Sequence, residues 1–216
     1  MVLAAWNRTP WLVVRRWLAI SVAVAAGLLT VVWLVAAAST PDASGLRFAG
    51  LTEPATGRDV GLVLVANSLV LALHAFACVA GYLARRSLPL EAARYRGVTR
   101  WVHEHAGPAA MAFVGAATLF SLATQAYELG LSASTLAAQL GISPGLLLLG
   151  LLPHALPELV ALFLPLAAWL VAARAQLWHE LLAATAVTVA IAVPVLLVTA
   201  LVEVFITPHL LQALVG

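Results

Sequence analysis

LLLLGLLPHALPELVALFLPLAAWLV, residues 146–171, decides the fold. A helix needs about 20 apolar residues to cross a bilayer core of about 30 Å. This stretch exceeds that and carries one formal charge, Glu158, with one histidine, His154. Four further stretches have the same character, near 17–38, 60–83, 108–129 and 181–206. Polar intervals at 40–59, 85–105, 131–144 and 174–180 separate them. The expected architecture is all-α, a polytopic transmembrane helix bundle of five spans that forms a single domain over 1–216.

Composition agrees. The 216 residues are 63% apolar and 9% charged, against about 25% charged in soluble domains, and the mean hydropathy is +1.04. A water-soluble domain is excluded. Eleven basic against nine acidic residues leave no basic stripe, so nucleic acid is not an expected partner. The chain has no phosphate loop with its lysine, since every basic residue is arginine. That points away from ATP hydrolysis by the chain itself. Arginine without lysine, with abundant Ala, Val and Leu, reads as GC-rich codon usage and hence a bacterial source. Cys78, the single cysteine, is expected to be a buried free thiol.

Five spans place the termini on opposite sides. One side holds Arg8, Arg15, Arg16, Arg85, Arg86, Arg94, Arg96, Arg100 and Arg174, and the other only Arg47 and Arg58. The positive-inside rule then gives a cytoplasmic N-terminus and an external C-terminus, in a bacterial inner membrane. Trp6, Trp11, Trp17, Trp101, Trp169 and Trp178 fall on the same side and read as interfacial anchors, with Trp33 elsewhere. The first run ends in Ala36-Ala37-Ala38-Ser39, small residues of the kind a signal peptidase cleaves. Its apolar run is longer than a signal-peptide core, so it is read as a retained span.

Residues 85–105 read as a basic amphipathic helix at the cytoplasmic interface, about 87–105. Tyr95, Val98, Trp101 and Val102 recur on one side, and Arg96, Arg100 and Glu104 follow a four-residue rhythm on another, with Arg94 nearby. Pro89 suits its first turn. Such a face serves as a topology determinant on anionic lipid or as a docking surface for a partner. On the other side, 40–59 reads as a loop, and 132–141 as a short surface helix.

Ionisable residues at membrane depth cost roughly 2.5–3.5 kcal/mol each on insertion scales, so each is a functional candidate. Asn67 and His74 are two helical turns apart on one face of the second span, and His154 and Glu158 share a face of the fourth. Glu203 lies near the external end of the fifth span, and Gln125 and Glu128 near that end of the third. Counting depths, Asn67, His74, His154, Glu158 and Glu203 are expected to form one buried polar cluster. Pro153, Pro157 and Pro165 interrupt the fourth span and Pro194 the fifth. Each removes a helical hydrogen bond, which favours a kink or a break into half-helices. Irregular backbone is tolerated mainly where it faces protein or water, so the fourth span is expected at the centre of the bundle.

Pro153-His154 with Glu158 four residues on, followed by an apolar helix and then Glu203 through Phe205-Ile206-Thr207-Pro208, resembles the stage II sporulation protein M family. That family has a Pro-His-x-x-x-Glu helix and a last helix ending in Glu-x-aromatic or aliphatic-Ser/Thr-Pro. The match is strongest over about 144–209, and Asn67 resembles an asparagine the family places in an earlier span. The chain departs at Ala155, Gln125-Ala126 and Pro165-Leu166, where the family commonly has Gly, Asn-Gly and Gly. The resemblance implies an inner-membrane anchor that works with cell-wall hydrolases.

Three roles fit the cluster. As structural glue, Glu158 bonds His154 and Glu203 and ties the helices of a scaffold together, at about 0.6–2 kcal/mol per interhelical hydrogen bond. As a path, it passes an ion, proton or small solute, as Asp, Glu and His chains do in transporters. As a metal centre, His154 and Glu158 at i and i+4, with Glu203 or His74, supply three ligands for zinc or another divalent metal and a hydrolytic water. No cofactor is expected under the first two. The expected partners are the lipid bilayer, cell-wall hydrolases or other membrane proteins, and a second copy of the chain.

Overall fold

The computed structural model describes residues 9–215. Trp6 and Arg8, counted above toward the topology, lie outside the described residues. The chain forms α1 (Pro10–Ala38), α2 (Gly57–Tyr82), α3 (Leu88–Ala92), α4 (Gly97–Leu140), α5 (Pro144–Ala175), α6 (Leu181–Leu201) and α7 (Thr207–Val215). Five continuous helical runs are long and apolar enough to cross a membrane, one for each expected span. Their starts follow from local chemistry. Pro10 and Pro144 stand in first turns, where a missing amide hydrogen costs nothing. Ser143 accepts from the Leu146 amide at 3.2 Å. Thr56 and Asp59 close a capping box at the head of α2.

The helix α5 is the hub. Half of its most apolar stretch is buried, against 11% for α4, and it packs against α1, α2, α6 and α7. The buried core there is built on Leu159, Leu162, Phe163 and Leu166, which meet Ala25, Leu28 and Val32 of α1 and Ala192 and Leu196 of α6. The central placement read from the prolines is therefore right. The half-helices are not, because Pro153, Pro157 and Pro165 lie inside one uninterrupted helix.

Two other prolines shape the chain more. Leu83–Ser87 and Val202–Ile206 are π-turns, and each ends two residues before a proline. The Leu88 amide reaches back to the Leu83 carbonyl ahead of Pro89, and the Thr207 amide to Val202 ahead of Pro208. Proline offers no amide hydrogen and crowds the carbonyl four residues back, so widening the turn by one residue lets the helix continue.

The interfacial helix expected over 87–105 is not one element. Residues 88–92 finish the second span, a turn follows, and 97–105 are the first turns of α4. Arg94, Arg96, Arg100 and Trp101 are exposed there as expected, with Arg94 paired to Glu91 at 2.9 Å and Arg100 to Glu104 at 2.7 Å. At the other end α4 absorbs the expected surface helix 132–141. Its 44 residues extend about 66 Å, roughly twice the hydrocarbon thickness. Where α4 crosses the π-turn after α2, a Cβ on Gly107 would lie 2.6 Å from the Ala84 carbonyl oxygen, so only glycine permits the approach. Trp17 and Trp178 are packed in the protein and are not interfacial anchors. Trp178 stands edge-on to Trp169 with Arg85 above its ring at 5.9 Å.

The interval 40–56 is a loop, but a fixed one. The Asp42 amide donates to Thr135 Oγ1 at 3.0 Å, and Ser134 Oγ donates to the Ser39 carbonyl at 3.1 Å. Gln139 clamps Leu46 twice, accepting from its amide at 3.1 Å and donating to its carbonyl at 3.3 Å. Gln212 of α7 donates to the Gly50 carbonyl at 3.3 Å. Gly50 has φ +82°, and a Cβ there would meet the Pro208 ring at 2.6 Å. Within the loop the Ser44 amide and hydroxyl donate to Asp42 and hold its carboxyl below the usual range. Gln139→Ala should free one side of this lid. Two exposed hydrogen bonds together are worth about 1 kcal/mol, so exchange of the Leu46 amide should quicken about fivefold. Hydrogen–deuterium exchange in detergent measures this, and an unchanged rate would show that the clamp does not hold the loop.

Candidate functional site

The fourth span and the π-turn before α7 bring the expected residues together near the loop end of the bundle. His154 is buried, and its Nδ1 lies 2.8 Å from Thr207 Oγ1, a hydrogen bond between α5 and the first residue of α7. Glu158, one turn along α5, has Asn67 of α2 and Thr199 of α6 beside its carboxyl. Glu203 sits in the π-turn, within range of the Glu158 charge. Four helices and the π-turn thus meet at His154, Glu158, Glu203, Asn67 and two threonines. Sequence reading missed Thr199 and Thr207. Threonine in an apolar helix usually bonds its own backbone, as Thr185 does to the Leu181 carbonyl at 2.7 Å and Thr199 itself to the Leu196 carbonyl at 3.2 Å, so its type alone does not mark Thr207 as a partner across helices.

His74 belongs elsewhere, which corrects the expectation of a single five-residue cluster. It is fully buried, and its Nδ1 donates to the Leu162 carbonyl at 3.0 Å, one turn deeper along α5 than Glu158. A carbonyl can only accept, so the proton is on Nδ1. Cys78, one turn further along α2, donates its thiol to the Pro165 carbonyl at 3.2 Å. Cys78 is the buried free thiol expected, with a partner no spacing rule indicates. Phe163 packs edge-on against the His74 ring at 5.4 Å.

The zinc set does not assemble around these residues. Among the described residues no group of three or more His, Cys, Asp and Glu side chains is placed to hold a metal ion. His154 and His74 each spend Nδ1 on another helix, and they lie at different depths. Gln125 and Glu128 are also apart from the site, since α4 runs on to Leu140 and leaves them well inside the helix rather than at its end. Gln125 bonds Ser121 at 2.9 Å, and Glu128 is exposed. At the arginine end Glu180 is buried, with His179 Nε2 at 3.6 Å.

Beside the cluster lies a cavity of about 320 Å³ whose wall includes His154, Glu158 and Glu203. The rest of the wall is mostly aliphatic, from α1, α4 and α5, with Arg47 and Phe48 of the loop above it. A second cavity of about 220 Å³ shares Arg47, Phe48 and Glu203 with the first and adds Asp59. On the far side of Glu158 the space is filled, since Leu71, His74, Cys78, Leu162 and Phe163 are all buried. The arrangement is therefore open on the loop side and closed toward the arginine end.

The contact between His154 and Thr207 is the most testable part of this geometry. Thr207→Val keeps the shape of the side chain and removes its hydroxyl, leaving a buried ring nitrogen without a partner, at a cost of about 1–3 kcal/mol. Thr207→Ser keeps the hydroxyl. Thermal unfolding in detergent should drop for the valine variant and stay near the parent for serine; equal values for both would show that the bond contributes nothing.

Residues 108–208 match the family model described as Stage II sporulation protein M. No curated protein and no solved structure matches the chain. The matched segment runs from the early part of α4 to Pro208 and holds His154, Glu158, Glu203, Thr199 and Thr207, while Asn67, His74 and Arg47 lie before it. With the Pro-His-x-x-x-Glu helix at its centre and the Glu203-to-Pro208 stretch at its end, the segment 108–208 belongs to the stage II sporulation protein M family.

Proposed function

We propose that the protein is an inner-membrane scaffold that holds cell-envelope partners, cell-wall hydrolases first among them, against its external loop end. One observation carries this reading. The loop 40–56 is bonded on one side to α4 through Thr135 and Gln139 and on the other to α7 through Gln212. A surface fixed in advance does not lose loop entropy when a partner binds. Its outward residues, Thr40 to Ser44 and Thr52 to Pro54, are exposed. The polar cluster then serves as glue. It ties α5 to α7 below that surface through the bond between His154 and Thr207, with Glu158, Asn67 of α2 and Thr199 of α6 packed beside it. Family membership supports the membrane setting.

A photo-crosslinking residue in place of Ala43, which is exposed, tests the scaffold in intact cells. The expected product is a covalent adduct with a cell-wall hydrolase, identified by mass spectrometry. A crosslinker in place of Arg94, at the opposite end, should give none. Adducts without any hydrolase at Ala43, or equal hydrolase adducts at both positions, would reject the reading.

The translocation reading keeps one observation in its favour, the cavity with His154, Glu158 and Glu203 on its wall. Packing of His74 and Phe163 below Glu158 weighs against it, because a path must continue past them. It requires solute- or pH-driven flux in proteoliposomes that Glu158→Ala abolishes. Flux unaffected by that substitution removes it.

A further inference from the structure

We infer that the paired cavities under the loop bind one phospholipid with an ethanolamine head, part of one of its two acyl chains in the larger cavity and its head between Arg47 and the two glutamates. This does not rest on the scaffold reading, and neither stands or falls with the other.

The apolar part of the site comes first. Leu29 and Val32 of α1, Leu136 of α4, and Leu147 and Leu151 of α5 line the larger cavity. Its volume of about 320 Å³ and the neighbouring 220 Å³ together lie within the usual range of about 300–1,000 Å³ for ligand pockets. A chain of methylene groups is the ligand such a wall accepts without leaving polar groups unpaired.

The polar part selects the head. Arg47 borders both cavities and, among the described residues, makes no ion pair or hydrogen bond. A guanidinium free of protein partners at such a mouth is matched to a phosphate, which it can bind through two parallel hydrogen bonds. Glu203 borders the same two cavities, and Glu158 borders the larger one. Oε2 of Glu158 is buried with no hydrogen-bond partner. Two neighbouring carboxyls with unfilled acceptor capacity call for a cation with several hydrogens to donate, and a primary ammonium has three. Asp59, the remaining acid on these walls, is occupied by the Thr56 amide and hydroxyl at 2.8 and 2.7 Å.

One small head therefore has to offer an anion to Arg47 and a hydrogen-bonding cation to Glu203 and Glu158. In phosphoethanolamine the two charges are separated by two carbons, so a single head can lie between them. A choline head has the same charges, but its methyl groups leave nothing to donate to the carboxyls. A glycerol head fits Arg47 and brings no cation. The bilayer around the protein supplies the molecule, and the aliphatic wall distinguishes a lipid from a free head group.

Native mass spectrometry of the full chain, stripped of lipid in detergent and offered equal amounts of ethanolamine, choline and glycerol phospholipids with identical acyl chains, tests this. One ethanolamine lipid should be retained in preference to the others by about tenfold, the worth of one charge-assisted hydrogen bond. Arg47→Ala and Glu203→Gln should each erase that preference, and Leu151→Trp should abolish retention of every lipid by filling the chain's place. Excess soluble phosphoethanolamine should not displace the bound lipid. Arg47 is exposed in the loop, so its variant decides the matter even where Glu203→Gln unfolds. Equal retention of the three lipids, a preference unchanged in Arg47→Ala, displacement by the soluble head group, or a dimer that excludes lipid each overturns the assignment.

Discussion

Pro165 has no amide hydrogen to offer the carbonyl four residues before it, and in the middle of a bilayer no water takes its place. That carbonyl belongs to Ala161, and α5 nevertheless continues through it as one helix. The bundle depends on how α2 is fixed beside this turn. His74 and Cys78, one helical turn apart, donate to the carbonyls of Leu162 and Pro165, three residues apart on α5. Both side chains are fully buried. They hold α2 on α5 in one register, since a slide of one residue would break both contacts together. The remaining helices then pack round an unbroken α5 that acts as the hub.

A different solution is used at the ends of the second and fifth spans. There Pro89 and Pro208 follow π-turns, and the chain itself supplies the missing bonds by reaching five residues back. The second of these turns matters for the site. It carries Glu203 and delivers Thr207 to His154, and the Pro208 ring beyond it lies against Gly50 of the loop. The same proline that forces the wide turn thus sets one wall of the cavity and one edge of its lid. Polar side chains and loop placement are coupled through a single backbone irregularity.

Much of this was legible before the fold. The five spans, the all-helical class and the central position of the fourth span followed from apolar run length and proline count, and helical spacing marked His154, Glu158, Glu203 and Asn67 as candidates. The family resemblance, carried by Pro153-His154, Glu158 and the Glu203-to-Pro208 stretch, holds over 108–208. Other readings went astray for reasons of context. His74 shares a helical face with Asn67, but a face two turns long spans two depths, and the deeper end meets backbone rather than carboxylate. The amphipathic rhythm of 94–104 is real, yet it belongs to the head of a 44-residue helix, because nothing after the turn at Arg96 stops α4. Tryptophans at span ends read as interfacial in general, but Trp17 and Trp178 fill gaps between helices.

The sequence by itself determined where the chain enters and leaves an apolar medium, because transfer cost depends on composition over a window and on nothing distant. It also determined which residues had to be shielded there, since a carboxyl or imidazole at depth is costly wherever its partners lie. Only the tertiary structure decided what shields them. Thr207 rather than His74 meets His154, Gln139 and Gln212 turn a Pro- and Gly-rich loop into a fixed lid, and Arg47 comes to line the same two cavities as Glu203. These pairings join residues as many as 162 positions apart. Spacing along one helix reports neighbours on that helix alone, and the rest is settled by how the helices pack.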